Sequence, residues 1–179
     1  MKALMFAAAT AALAVASPAL AQDAPSFLEP ITPYATIGYA GASQDDVHLG
    51  AIQGRLGAQF GKYLAVEGEL AGGVKKDSVT ESGVTAEVKL DSQYAIYAVG
   101  VLPVAPNFDL FARLGYGHTK VSASALGFTA AGSDNSVNYG GGAQYFFTAK
   151  DGIRGDYTVH HYDGGGDADV WSVSYVRKF

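Results

Sequence analysis

The chain has 179 residues, a formal charge of −5, 49% hydrophobic and 12% aromatic residues, only 16% charged residues, 23 glycines and no cysteine. That charge content lies well below the roughly 25% of soluble domains. So apolar a chain is not disordered, a disulfide scaffold and a Cys-ligated metal or redox centre are excluded, and the acidic balance lacks the basic footprint of a nucleic-acid binder.

Met1 to Ala21 reads as a secretory signal peptide. Lys2 supplies the charged start, Ala3 to Ala16 the apolar run and Ala19-Leu20-Ala21 a small-x-small cleavage site. Its removal leaves 11 basic residues against 17 acidic ones, since one of the 12 lysines and arginines is Lys2. Absent cysteines suit an oxidising compartment, where a stray thiol is a liability. Beyond residue 22, the longest apolar stretch, Tyr94 to Pro106, holds two prolines and falls short of the roughly 20 residues a membrane helix needs. The choices left are a soluble exported protein and a closed transmembrane β-barrel.

Residues 22–33 form a short periplasmic leader containing prolines, and a period of two runs through nearly all that follows. Eight segments alternate, at 34–41, 48–60, 64–74, 85–102, 108–121, 136–147, 153–162 and 168–179. In the second, Gly54, Leu56, Ala58 and Phe60 oppose Gln53, Arg55, Gly57 and Gln59. In the third, Leu64, Val66, Gly68 and Leu70 oppose Ala65, Glu67, Glu69 and Ala71. The fourth alternates least cleanly, with Tyr97, Val99 and Val101 opposing Tyr94, Ile96 and Ala98. The fifth sets Leu110, Ala112, Leu114 and Tyr116 against Phe111, Arg113 and Gly115. The seventh sets Ile153, Tyr157 and Val159 against Arg154, Asp156, Thr158 and His160. The eighth sets Trp171, Val173, Tyr175 and Phe179 against Ser172, Ser174 and Lys178.

The connections alternate as well. Gly61 to Tyr63, Pro103 to Asn107 and Thr148 to Gly152 are short. Lys75 to Val84 and Ser122 to Asn135 read as longer polar loops, and Asp163 to Asp167 as a glycine-rich one. Short turns on one side and long loops on the other is the outer-membrane barrel pattern, with both termini periplasmic. Aromatic residues gather at strand ends: Phe60, Tyr63, Phe108, Phe147 and Phe179 by the short turns, and Tyr39, Tyr116, Tyr139 and Trp171 by the loops. Such an arrangement makes two interfacial girdles. The polar faces then fill a lumen, with Gln53, Arg55, Gln59, Glu67, Glu69, Arg113, Gln144, Arg154 and Asp156 as its polar network. Phe60 facing Leu64 across the first short turn sets Arg55 opposite Glu69, and Phe147 facing Ile153 sets Gln144 opposite Asp156. An eight-stranded lumen is just wide enough for side chains to fill it, which favours a rigid paired plug over a conduction path.

The stretches LGAQFGKYLAVEGELAGG (56–73), LPVAPNFDLFARLGYG (102–117) and NYGGGAQYFFTAKDGIRGDYTVHHYD (138–163), with the closing SYVRKF, resemble the small eight-stranded outer-membrane barrels of the OmpA-like transmembrane domain and opacity-type surface antigen families. The likeness covers residues 34–179. It implies an all-β, eight-stranded antiparallel transmembrane barrel in a Gram-negative outer membrane, with no cofactor. It also implies lipid and lipopolysaccharide as surroundings, and the barrel-assembly machinery and periplasmic chaperones as partners. Tyr175 and Phe179 then form the assembly signal. Arg177 departs from the family, which more often carries an apolar or aromatic residue there. No peptidoglycan-binding domain is expected after the last strand.

The remaining motifs carry less. His160 and His161 point to opposite faces of one strand and cannot share a metal, and His48 and His118 are far apart in the chain. No serine shares a strand face beside any of the four histidines, so the His/Ser logic of the lipid A hydrolases that adopt this fold is unsupported. Asp163 to Asp169 lacks the ligand spacing of a calcium loop, and Gly140 to Gly142 is no phosphate cradle. Asp45, Asp46, Asp77, Glu81, Asp134, Asp163, Asp167 and Asp169, against Lys75 and Lys76, give the outer loops an acidic rim that would repel lipopolysaccharide phosphates unless divalent cations bridge the two. The expected role is that of a structural outer-membrane barrel that supports envelope integrity and presents surface loops. The alternatives are a narrow porin-like channel for small solutes and an adhesin.

Overall fold

A computed structural model describes residues 31–44, 47–75, 77–81, 84–125 and 128–179. The expected signal peptide, most of the leader, Asp45, Asp46 and Lys76 lie outside the described residues. Nine strands follow one another: β1 Ile31–Gln44, β2 Val47–Phe60, β3 Leu64–Lys75, β4 Asp77–Glu81, β5 Val84–Ala105, β6 Phe108–Ala125, β7 Phe128–Phe146, β8 Asp151–Tyr162 and β9 Asp167–Lys178. All neighbours pair antiparallel in the order β3-β2-β1-β9-β8-β7-β6-β5-β4, and β3 also pairs with β5. That last ladder, from Leu64 opposite Gly100 to Ala71 opposite Gln93, closes the sheet. Because β4 pairs with the start of β5 beyond residue 76, β3 and β4 form one stave, and the barrel has eight. Among the described residues, no helix is long and apolar enough to cross a membrane.

The period of two becomes an inside and an outside. Leu56, Leu70, Ile96 and Leu114 are exposed on the outer wall, whereas Arg55, Glu69, Arg113 and Arg154 are buried within. Where the ladders close round the barrel no strand edge is left unpaired, so the outer wall there can meet lipid; β4 pairs only with β5, and β7 before Ser136 only with β6.

Several boundaries differ from those the sequence suggests. β1 begins at Ile31, opposite Phe60, so Ile31–Pro33 belong to the barrel rather than to the leader. Lys75 to Val84 and Ser122 to Asn135 are strand for most of their length. Glu81 faces Val84 at the end of one hairpin, and Ser122 faces Ala131 in the other. Polarity there marks exit from the apolar band, because the backbone ladder continues whatever the side chains are.

β5 is apolar on both faces over residues 94–101 because Tyr97, Val99 and Val101 turn into the buried apolar cluster, and its parity changes at a bulge before that stretch. The register slips between Leu90 and Ser92, and the residue skipped, Asp91, accepts a hydrogen bond from the Ser122 hydroxyl. A bulge inverts the parity of the strand beyond it. Leu90 points inward before it, and Gln93, Ala95, Tyr97, Val99 and Val101 point inward after it.

The β2–β3 turn gives the expected register: Phe60 faces Leu64 and Arg55 faces Glu69, with Gly61 at φ 63°. The β7–β8 turn does not. Tyr145, not Phe147, faces Ile153, which sets Gln144 opposite Arg154 and Asp156 opposite Gly142. Phe147 and Thr148 both donate their N–H to the Asp151 carbonyl, at 3.0 and 3.2 Å. The Thr148 hydroxyl accepts from the Asp151 N–H at 2.8 Å. The turn therefore closes inside the apolar pair that the sequence suggested for the ladder.

Closure at β3–β5 is testable because the chain has no native cysteine. Val66→Cys with Ala98→Cys, on facing outer-wall positions, will form a disulfide on mild oxidation of the folded protein, read on a non-reducing gel. Tyr145→Cys with Ile153→Cys will also crosslink, and Phe147→Cys with Ile153→Cys will not.

Candidate functional site

Three of the four arginines in the chain are buried in the lumen, on β2, β6 and β8. Arg55 is held on both sides. Its Nε donates to Glu69 Oε2 at 2.6 Å, and its Nη1 and Nη2 donate to Asp156 Oδ2 and Oδ1 at 2.7 and 2.9 Å. Arg113 donates to the same Glu69 oxygen at 2.7 Å and lies 3.5 Å from Asp156. Arg154 is forked onto both oxygens of Glu67, and its Nε stands 3.7 Å from Asp156. Three guanidinium groups thus meet three carboxylates in one continuous cluster of zero net charge. The forked guanidinium suits such sharing better than an ammonium does.

Neutral donors complete it. Tyr34 donates to Glu67 at 2.6 Å, Ser172 to Asp156 at 2.8 Å, Gln93 to Glu69 at 3.3 Å and Tyr97 to Glu69 at 3.4 Å. Asn138 donates to the Tyr97 hydroxyl at 3.0 Å. Arg113 also stacks on the Tyr97 ring, 3.5 Å from its centroid, and Arg154 on Phe111 at 3.8 Å. Every stave contributes at least one residue. Two glycines make room for the tyrosines. A Cβ on Gly57 would sit 2.2 Å from Tyr34 Cζ, and one on Gly115 2.4 Å from Tyr97 Cδ1.

Of the nine polar residues that the sequence places in the lumen, six make up this cluster. Gln53 is buried but bonds Ser174 at 3.4 Å. Gln144 bonds Asp109 at 2.9 Å. Gln59 bonds the Lys62 carbonyl at the turn, 3.3 Å away. Tyr34, Gln93, Tyr97, Asn138 and Ser172 are participants the sequence reading omitted. Strand parity placed Ser172 inside, but parity carries no information on which neutral groups touch a charge.

Towards the short turns, Tyr34, Ala65, Tyr97, Val99, Val101, Phe111, Phe146 and Val176 pack an apolar plug beneath the cluster. Outside, Phe60, Phe147 and Phe179 are exposed near the turns, and Tyr116, Tyr139 and Trp171 nearer the hairpins. Tyr63, Phe108 and Tyr39 are half-buried, Tyr39 lying 5.8 Å from Trp171 between ring centroids. Tyr175 and Arg177 both donate to Asp151, Arg177 at 3.0 Å, so Arg177 ends in an ion pair.

The histidines are dispersed. His160 is buried in the lumen, His161 pairs with Asp167 outside, and His118 bonds Asn135 at 2.8 Å. His48 lies 2.9 Å from Ser43. That Ser–His contact forms across the β1–β2 hairpin, between facing residues of two strands rather than along one strand face. Among the described residues, no three His, Asp or Glu side chains are placed to hold a metal ion. Part of the acidic rim is already engaged: Asp134 accepts the Gly164 N–H at 2.8 Å and Asp163 the Tyr116 hydroxyl at 3.2 Å.

A family model described as outer membrane protein beta-barrel domain matches residues 7–179. No curated protein sequence matches the chain. Among solved structures, Ail, the attachment invasion locus protein of Yersinia pestis, in complex with the heparin analogue sucrose octasulfate, is 22% identical at a TM-score of 0.62, the match covering 83% of this chain and 99% of that one. Neisserial surface protein A is 12% identical at a TM-score of 0.59, covering 83% and 97%. The N-terminal β-barrel domain of Pseudomonas aeruginosa OprF is 12% identical at 0.54, covering 80% and 96%. At these identities the likeness is one of fold.

Removing one charge from the cluster leaves its partner buried and uncompensated, at a cost of about 3–5 kcal/mol. Glu69→Gln will therefore destabilise the barrel by that order, measured by urea unfolding in lipid vesicles. Gln59→Ala, at the half-buried turn contact, will change stability by less than about 0.5 kcal/mol.

Proposed function

Because the chain belongs to the outer-membrane β-barrel family, we propose that it is a structural element of the outer membrane, a closed barrel that supports envelope integrity and presents its hairpins beyond the bilayer. The observation that carries this reading is the neutral cluster of Arg55, Arg113, Arg154, Glu67, Glu69 and Asp156 lying across the lumen. An ion entering that space would have to displace pairs already matched, and the packed turn end beneath leaves it only about 10 Å³. This favours a plug over a porin-like channel.

The same reading assigns the termini and short turns to the periplasm, export to the signal peptide at 1–21, and the outer aromatic residues to the two membrane interfaces. Lipopolysaccharide and lipid surround the wall, and Tyr175 with Phe179 serve as the signal read by the barrel-assembly machinery after chaperones deliver the chain. No reaction is assigned.

A second reading, surface adhesion, draws on one observation. Phe128, at the start of β7 in the projecting β6–β7 hairpin, is 82% exposed, and a large apolar side chain so presented offers an anchor for a partner surface.

The purified barrel in planar bilayers will give no unitary conductance, and cells lacking it will become more sensitive to detergent. Stable conductance steps that change on Arg113→Leu would establish the channel reading instead. Under the adhesin reading, Phe128→Ser will lower surface attachment several-fold without altering the heat-shifted gel mobility of the folded barrel.

A further inference from the structure

The lumen is filled unequally at its two ends. Within the plug at the turn end the free space is about 10 Å³, too little for more than one water. At the hairpin end, above the charged cluster, a cavity of about 230 Å³ remains. Its walls are apolar, formed by Leu49, Leu90, Val121 and Val170, and none of its lining residues is an aspartate, glutamate, lysine or arginine. Gln93 lines it and also bonds Glu69, so the cavity rests directly on the cluster. His160, 2% exposed, lines it too, and its Nδ1 is buried with no hydrogen-bond partner. Tyr162 and Thr119, joined at 3.4 Å, separate it from a more open depression that also holds Gly132, Asp134 and Gly165.

We propose that this cavity is a binding site for a small neutral molecule with an apolar, ring-sized body and one hydroxyl, such as an alkylated phenol, whose hydroxyl donates to His160 Nδ1. Three features select that class. An apolar cavity of about 150 Å³ already accepts benzene, so the volume here suits a single ring with a short alkyl chain. The lining offers no cation, and the arginines below are matched one for one by carboxylates, so an anion would be buried without a partner. An unpaired imidazole nitrogen is tolerated in the empty site more readily as an acceptor than as a lone N–H, and it then rewards a ligand that donates. Apolar walls with a few convergent polar groups in the mouth of a barrel are a common form of ligand pocket.

The probe is 4-propylphenol, titrated by equilibrium dialysis into the full chain in lipid nanodiscs, with empty nanodiscs of the same lipid as the blank. The expected result is saturable, one-to-one excess binding, accompanied by a shift of the His160 ring ¹⁵N resonance. The methyl ether of the probe, which cannot donate, and His160→Phe with the parent phenol will each bind at least about tenfold more weakly. Ala168→Leu, which fills the cavity, will abolish the excess, and 4-propylbenzoate will show none. If Ala168→Leu loses the heat-shifted mobility of the folded barrel, the three probes on the unmodified chain decide the matter alone. Excess that never saturates, equal binding of phenol and ether, or binding of the benzoate would overturn the proposal.

Discussion

Six charges share a lumen too narrow to hydrate them, and the fold depends on their cancelling. An isolated ion moved into such a space costs several kcal/mol even after relaxation. No member of the set is therefore independent of the others. Arg55 alone bridges β3, β8 and, through Ser172, β9. A slip of one residue in any of these staves would turn a charge outward into lipid and leave another unpaired within. The cluster thus pins the register that the backbone ladder would leave free to slide, and the outer wall inherits its apolar face from that register.

Much of this was legible in the sequence because a closed sheet has only two faces. Arg55, Glu67, Glu69, Arg113, Arg154 and Asp156 fall on one parity in their strands, and the three-residue turn at Gly61 fixes Arg55 against Glu69. What parity could not supply is where a ladder begins to count. Thr148 closes its turn on Asp151 through its own hydroxyl, and the register of β7 and β8 moves by two residues, so that Asp156 faces Gly142 and is free to reach Arg55. Asp91 bulges out of β5 and exchanges the faces of that strand. Both events are set by one polar side chain meeting a backbone or hydroxyl group nearby, and such contacts leave no periodic trace. Tyr34 and Tyr97 were hidden for another reason. Alternation assigned neither to the lumen, yet each turns its hydroxyl to a carboxylate from a ring seated over a glycine.

Along its axis the lumen changes character in three steps: an apolar plug at the turn end, the charged cluster, and the partly empty hairpin end. The order is physically economical. The plug excludes water from beneath the cluster, which strengthens the attraction of its pairs. Once the charges are matched, nothing above them requires filling. The cavity is left where neither electrostatics nor lipid contact demands a side chain, and the small residues Ala42 and Ala168 on its lining keep it open.

The staves are also unequal in length, and the inequality has a direction. A barrel strand needs about 9–11 residues to cross the hydrocarbon layer. β8 and β9 have 12 each, whereas β5, β6 and β7 have 22, 18 and 19. The surplus lies at one end and on one side, with β4 paired to the outer part of β5. There Ser, Thr and Ala become common in β6 and β7, and Phe128 is the one aromatic residue described. A strand beyond the bilayer has no lipid to reward an apolar face, but its backbone groups still pair with their neighbours. The ladder therefore continues without a continuous apolar face. The β6–β7 ladder runs out to Ala125 opposite Phe128, so on the surface-adhesion proposal Phe128 is presented on a strand rather than on a loop that would have to be ordered before it could bind.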